Sequence, residues 1–110
     1  MFVLGVHADD AVYIKNTDMG FGFFGPIEVL SQAAVLRLST VEMAECPAGD
    51  QEGEDGWLHA CMEGHSIGSR EDTKLLYSGC QVNDCGDATY VAYHFYKDPS
   101  SWNSCADLLR

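Results

Sequence analysis

The stretch GPIEVLSQAAVLRLSTVEMAEC, residues 25–46, limits the fold more than any other part of the chain. Ile27, Leu30, Ala34, Leu38 and Val41 recur three or four residues apart, and Val29, Ala33 and Leu36 widen the stripe. That spacing puts the apolar side chains on one face of a helix. Pro26 suits a first helical turn, where Glu28 complements the positive end of the helix dipole. So broad an apolar face needs a cover, and a β-sheet supplies one. The expectation is one long helix lying across a sheet.

The remaining segments supply strands. FVLGVHA and AVYIKN, either side of His7-Ala8-Asp9-Asp10, read as an opening hairpin in which Val12 and Ile14 alternate with Tyr13 and Lys15. NTDMGFGFFGP reads as a flexible loop or irregular edge strand, unusually apolar for either. WLHACME, KLLYSGCQV and ATYVAYHFY read as further strands, the last two joined by the turn-rich NDCGD. In the last of these, Tyr90, Ala92, His94 and Tyr96 share one face, and Thr89, Val91, Tyr93 and Phe95 the other. DPSSWNSCADLLR reads as a short helix with Trp102, Cys105, Ala106 and Leu109 on its apolar side. The order β-β-α-β-β-β-α predicts a single α+β domain over residues 1–110. It would hold an antiparallel sheet of about five strands, one long helix on one face and a short C-terminal helix. A half-barrel wrapped around the main helix is the alternative.

Charge narrows the function. Six basic residues stand against seventeen acidic ones, a net charge of −11. Direct nucleic-acid binding needs a basic surface to replace phosphate counterions, and anionic membranes repel the same charge. An acidic field instead attracts basic proteins and cationic ligands. MFVLGVHADD lacks the basic head and long apolar stretch of a signal peptide, and no apolar run reaches the roughly 20 residues of a membrane helix. The expected location is the cytoplasm. MFVLGVHADDAVYI resembles the first hairpin of the carbon storage regulator family of RNA-binding proteins in its Met-apolar-apolar-Leu start, Asp10 and the Val12/Ile14 alternation. Gly5 and Val6 stand near the place of that family's arginine, so the resemblance assigns no family.

Several motifs name chemistry. Gly64-His65-Ser66-Ile67-Gly68 spells G-x-S-x-G, the nucleophile elbow of serine hydrolases, and Asp84 or Asp87 and then His94 follow in that family's order. The full hydrolase fold needs several βαβ units, which 110 residues do not hold, and no second glycine-rich oxyanion loop precedes the motif. Ser66 is therefore expected in a turn shaped by Gly64 and Gly68. The cysteines Cys46, Cys61, Cys80, Cys85 and Cys105 are odd in number and irregular in spacing, which reads as free thiols packed as small hydrophobes. His59, Cys61, Cys80 and Cys85 form a weak zinc pattern with the wrong finger spacings, and no metal site is assigned. DQEGEDG fails the calcium-loop pattern: counting from Asp50, its sixth and twelfth positions hold Asp55 and Cys61. Cys85 sits beside Asp84 and Asp87, whose charge opposes a reactive thiolate. No phosphate-binding loop is spelled, and no cofactor is expected.

Two binding readings follow, with a hydrolase using Ser66 as a minor alternative. In the first, Glu42, Glu45, Asp50, Glu52, Glu54 and Asp55 form an acidic face that engages a basic protein, as immunity proteins, antitoxins and inhibitors do, with aromatic anchors nearby. In the second, Tyr90, His94, Tyr96 and Trp57 line a pocket for a cationic or aromatic small molecule. An aromatic last strand also suits a homodimer interface.

Overall fold

The computed structural model describes residues 7–42, 45–46, 53–77, 85–94 and 96–109. The elements are β1 (Val12–Lys15), α1 (Gln32–Leu38), α2 (Gly53–Gly64), β2 (Gly68–Glu71), β3 (Leu76–Tyr77), β4 (Ala92–Tyr93) and α3 (Pro99–Leu109). Among the described residues the strands form two two-stranded sheets, both parallel. This replaces the expected antiparallel sheet of about five strands under one long helix. No helix among the described residues is long and apolar enough to cross a membrane.

The long helix shrinks to seven residues because its first half has another task. Ile14 donates to the Val29 carbonyl at 2.9 Å and Ser31 to the Val12 carbonyl at 2.8 Å, so residues 29–31 run beside β1 in extended form. Ser31 then caps α1, its hydroxyl accepting from Ala34 N–H at 3.1 Å and from Val12 N–H at 3.0 Å. Ser39 and Thr40 close the helix by donating to the Leu36 and Arg37 carbonyls. Leu30, Ala34 and Leu38 keep the expected inward face, whereas Leu36 is exposed.

WLHACME is helical rather than extended, forming the body of α2. Leu58, Cys61 and Met62 have helical spacing, and all three face inward. Glu54 and Asp55 occupy the first turn, where the dipole favours carboxylates. The acidic run therefore ends inside the first turn of a helix. The helix stops at GHSIG. Ile67 N–H donates to the Met62 carbonyl at 3.1 Å, the six-to-one bond of a Schellman cap, and Ile67 and Met62 pack in the same core. The left-handed residue that such a cap requires is Ser66, at φ 60°, not either flanking glycine.

β1 and β2 pair with Val12 opposite Gly68 and Lys15 opposite Glu71, and both helices lie in the crossover between them. β1 covers the first core: Tyr13, Phe23, Ala34, Met62 and Ile67. The Tyr13 ring meets Phe23 edge-on at 5.3 Å, and its hydroxyl donates to Glu63 at 2.7 Å. Burial, then the Glu63 carboxylate, raises the Tyr13 pKa. Asn16 is fully buried and knits the glycine-rich segment to β1, donating to the Phe24 and Ile27 carbonyls and accepting from Phe24 N–H. Residues 2–6 of the expected first strand lie outside the described residues, and His7-Ala8-Asp9-Asp10 is a turn, Asp10 N–H donating to the His7 carbonyl at 3.0 Å.

The second region is thinner. β3 and β4 pair over two positions, Leu76 with Ala92 and Tyr77 with Tyr93; among the described residues of ATYVAYHFY only Ala92 and Tyr93 are strand, and residues 78–82 of KLLYSGCQV lie outside the described residues. Cys85 of NDCGD is disulfide-bonded to Cys105 of α3, which ties this residue to that helix; Asn83 and Asp84 lie outside the described residues. Cys85, Cys105 and Tyr96, with Tyr93 against them, form the second core. A second disulfide joins Cys46 to Cys61. The expectation of free thiols is overturned for these four cysteines; Cys80 lies outside the described residues.

Candidate functional site

The site grows from the start of α3. Asp98 caps this helix, accepting from Ser101 N–H at 2.9 Å and Ser101 Oγ at 2.7 Å, and Pro99 holds its first position. These bonds, the hydroxyl first, keep the Asp98 carboxyl below its ordinary value. From that start, Trp102, Cys105, Ala106 and Leu109 line one side, as their spacing predicts. The Cys85–Cys105 disulfide pins the middle of the helix.

With Tyr93 and Tyr96 they enclose an open cavity of about 240 Å³, almost wholly apolar. It adjoins a wider groove of about 460 Å³ lined by Gly25, Pro26, Asp55, Tyr93, His94, Tyr96, Lys97 and Trp102. Tyr93, Tyr96 and Trp102 belong to both. Trp102 is 65% exposed, an unusual cost for an indole that solvates poorly. The groove joins the two regions, because Gly25, Pro26 and Asp55 come from the first and the rest from the second. Asp55 holds that wall, accepting from Gly25 N–H at 3.0 Å.

His94 is half-buried. Burial, then Lys97, lowers its pKa against a smaller opposing effect of Asp55, so the imidazole is neutral near pH 7. Tyr93 donates its hydroxyl to the Asp87 carbonyl, and burial, then the Asp87 charge, raises its pKa. The groove therefore presents neutral aromatic surface at neutral pH, edged by Asp55 and Lys97.

The expected pocket set is split. His94 and Tyr96 come together here, but Tyr90 faces a different depression with Thr17, Asp18, Met19, Thr73, Leu76 and Tyr77, where Lys74 Nζ sits 4.3 Å over its ring. Trp57 lies half-buried on α2 and is not among the residues lining the groove. Tyr93, assigned by alternation to the opposite face from His94, enters the groove because the extended run is too short to separate the faces. Tyr93 and Lys97 are the site residues that sequence patterns missed; Asp55, expected on the acidic face, lines the groove instead, and the helical stripe on 99–109 did mark Trp102.

Of the acidic face, Glu42, Glu45 and Glu54 are exposed, and Asp55 serves the groove wall. Asp50 and Glu52 lie outside the described residues. Glu28 is not in a helix; it sits half-buried beside Glu54 and Asp55. Burial, then Glu54, pushes its pKa up to about 7.

Among the described residues, His59, Cys61 and Cys85 do not come together as a metal site, and Cys80 lies outside them. His59 stacks on Phe21 at 4.9 Å and approaches Glu63 at 3.7 Å, while Cys61 and Cys85 are in separate disulfides. Ser66 fails as an elbow on topology: a helix precedes it and a strand follows, the reverse of a hydrolase. Its carbonyl accepts from Arg37 at 2.8 Å. No protein-family model, curated protein or solved structure matches this chain.

Proposed function

We propose that this chain is a binding protein whose working surface is the Tyr93–Tyr96–Trp102 groove, and that its partner is a basic protein. The partner inserts an aliphatic or aromatic side chain into the apolar cavity beside Trp102. Its lysines or arginines meet the acidic surface, with Asp55 in the groove itself. The observation that carries this reading is a largely exposed indole over an open apolar cavity, in a chain of net charge −11. Tryptophan is the side chain most often found as a binding hot spot, and the charge supplies steering. The two disulfides favour an oxidising compartment over the cytoplasm expected from the sequence.

Titration with a panel of short lysine- or arginine-rich peptides carrying one Trp, Phe or Leu tests this. The basic peptides should bind, lose affinity as salt rises, and lose roughly thirtyfold with Trp102→Ala, the effect of a hot spot of about 2 kcal/mol. Equal binding of acidic peptides, or an unchanged Kd in Trp102→Ala, contradicts the reading.

A second reading rests on the volumes. Together the cavity and groove are large enough for a small cationic or aromatic ligand. Binding of aromatic amines that is competitive with the peptides, in the absence of any protein partner, would favour it. A homodimer through the same groove would instead appear in sedimentation as a dimer that Trp102→Ala dissociates.

A further inference from the structure

Cys46, Cys61 and His65 form a cluster separate from the groove. Their two sulfurs and one imidazole nitrogen all lie within 4.8 Å of one another. Cys61 lies in the last turn of α2 and His65 directly follows the helix, four residues on, which brings the two side chains together. Cys46 meets them from the segment before that helix. The cysteines are buried and His65 is half-buried, so the cluster is shielded from solvent but not sealed. His65 Nε2 is 3.3 Å from the Glu45 carbonyl. A carbonyl only accepts, so this contact calls for the proton on Nε2 and, in the neutral imidazole, leaves Nδ1 as the nitrogen with the lone pair. Metal-binding histidines are oriented by this kind of contact.

We propose that this cluster is a thiol-gated site for Zn²⁺, closed while the disulfide is formed and open to the ion once it is reduced. A dithiol reductant supplies the two electrons. Its own two S–H groups become a disulfide, and the Cys46–Cys61 S–S bond becomes two thiols. Zinc then displaces one proton from each thiol. Two thiolates and a neutral imidazole balance its charge, and water completes the tetrahedron. Tetrahedral zinc holds N and S ligands at about 2.0–2.3 Å, which spaces them roughly 3.5 Å apart. Side-chain rotation after the S–S bond opens covers the difference. The net charge of −11 draws the cation in. Reoxidation by a disulfide-bearing oxidant forms the S–S bond again and expels the ion.

The test is zinc binding by the Cys80→Ser chain, fully oxidised and fully reduced. The reduced chain should bind one equivalent, and Co²⁺ in its place should show thiolate-to-metal charge transfer. The oxidised chain should bind none at the same concentration. His65→Ala should weaken uptake by the reduced chain tenfold or more, roughly what loss of even an outer-shell partner costs. No uptake after reduction, equal uptake by the oxidised chain, or unchanged affinity in His65→Ala overturns the proposal. Alkylation of the reduced parent chain gives a readout that needs no variant. Zinc should protect Cys46 and Cys61 but not Cys85 and Cys105, and equal labelling of Cys46 and Cys61 with and without zinc overturns it.

Discussion

The region around Tyr13 and the region around Tyr96 are held together by different means. The first packs two helices and an extended segment around β1, with Tyr13, Phe23, Ala34 and Met62 fully buried. Its interior is made by burial, and its Cys46–Cys61 disulfide, although buried, is not a member of that core cluster. The second has strands of two residues and a core cluster in which two of the three buried members are the bonded cysteines. There the cross-link replaces the apolar area that the segment lacks. The groove lies where the two meet, and its exposed aromatic wall belongs to the thin region. Binding surfaces draw on the less stable parts of a molecule, and the proposed surface has its aromatic wall in the region with the smaller core.

Breaking the first core should have the largest effect. Phe23→Ala should cost about 3–5 kcal/mol in denaturant unfolding, with faster hydrogen exchange throughout β1, α1 and α2. Replacing both Cys85 and Cys105 by Ala should cost about 3 kcal/mol, from a cross-link spanning 20 residues. Its signature is regional. Exchange should accelerate in β3, β4 and α3 while β1 and β2 stay protected. Equal acceleration in both regions would show that the comparison is wrong.

Glu28 tests the boundary beside the groove. Its folded pKa lies above the ordinary carboxylate value, so the folded state holds the proton more tightly than the unfolded one. Stability from this group is therefore greatest below about 4.5 and falls as pH rises toward 7. Glu28→Gln should remove that slope, gaining about 1–2 kcal/mol over the parent at pH 7.5 relative to pH 4.5, after allowance for its partial exposure. The parent-minus-variant difference isolates it from His59 and His94, whose lowered pKa values act in the opposite direction. The smallest effect belongs to the cap of α2. Ser66→Gly should raise the melting temperature slightly, by about 0.5–1 kcal/mol of stability, because glycine accepts φ 60° without strain.

Part of this was legible in the sequence. The inward face of Leu30, Ala34 and Leu38 could be read from spacing, as could the stripe of Trp102, Cys105, Ala106 and Leu109. The length of the first helix could not, because the competing demand came from β1, whose pairing with residues 29–31 is a tertiary fact. WLHACME carried both a two-residue and a helical pattern. Leu58 and Met62, four apart, decide for the helix, but only once a core exists to receive them. The cysteine pairs were hidden by an odd count and by separations of 15 and 20 residues. Connectivity of that kind does not follow from spacing. The GHSIG letters were read as two turn glycines around a serine; the backbone instead assigns the left-handed position to the serine.

The most direct test of the groove as the binding surface uses the Trp57→Phe chain, which leaves Trp102 as the only indole. Its emission is followed while a basic peptide with one aromatic anchor is added at low and then high salt. A saturable blue shift that salt reverses is the predicted result, since the exposed indole becomes covered and the association is charge-steered. Saturable binding by calorimetry with no change in Trp102 emission would contradict it.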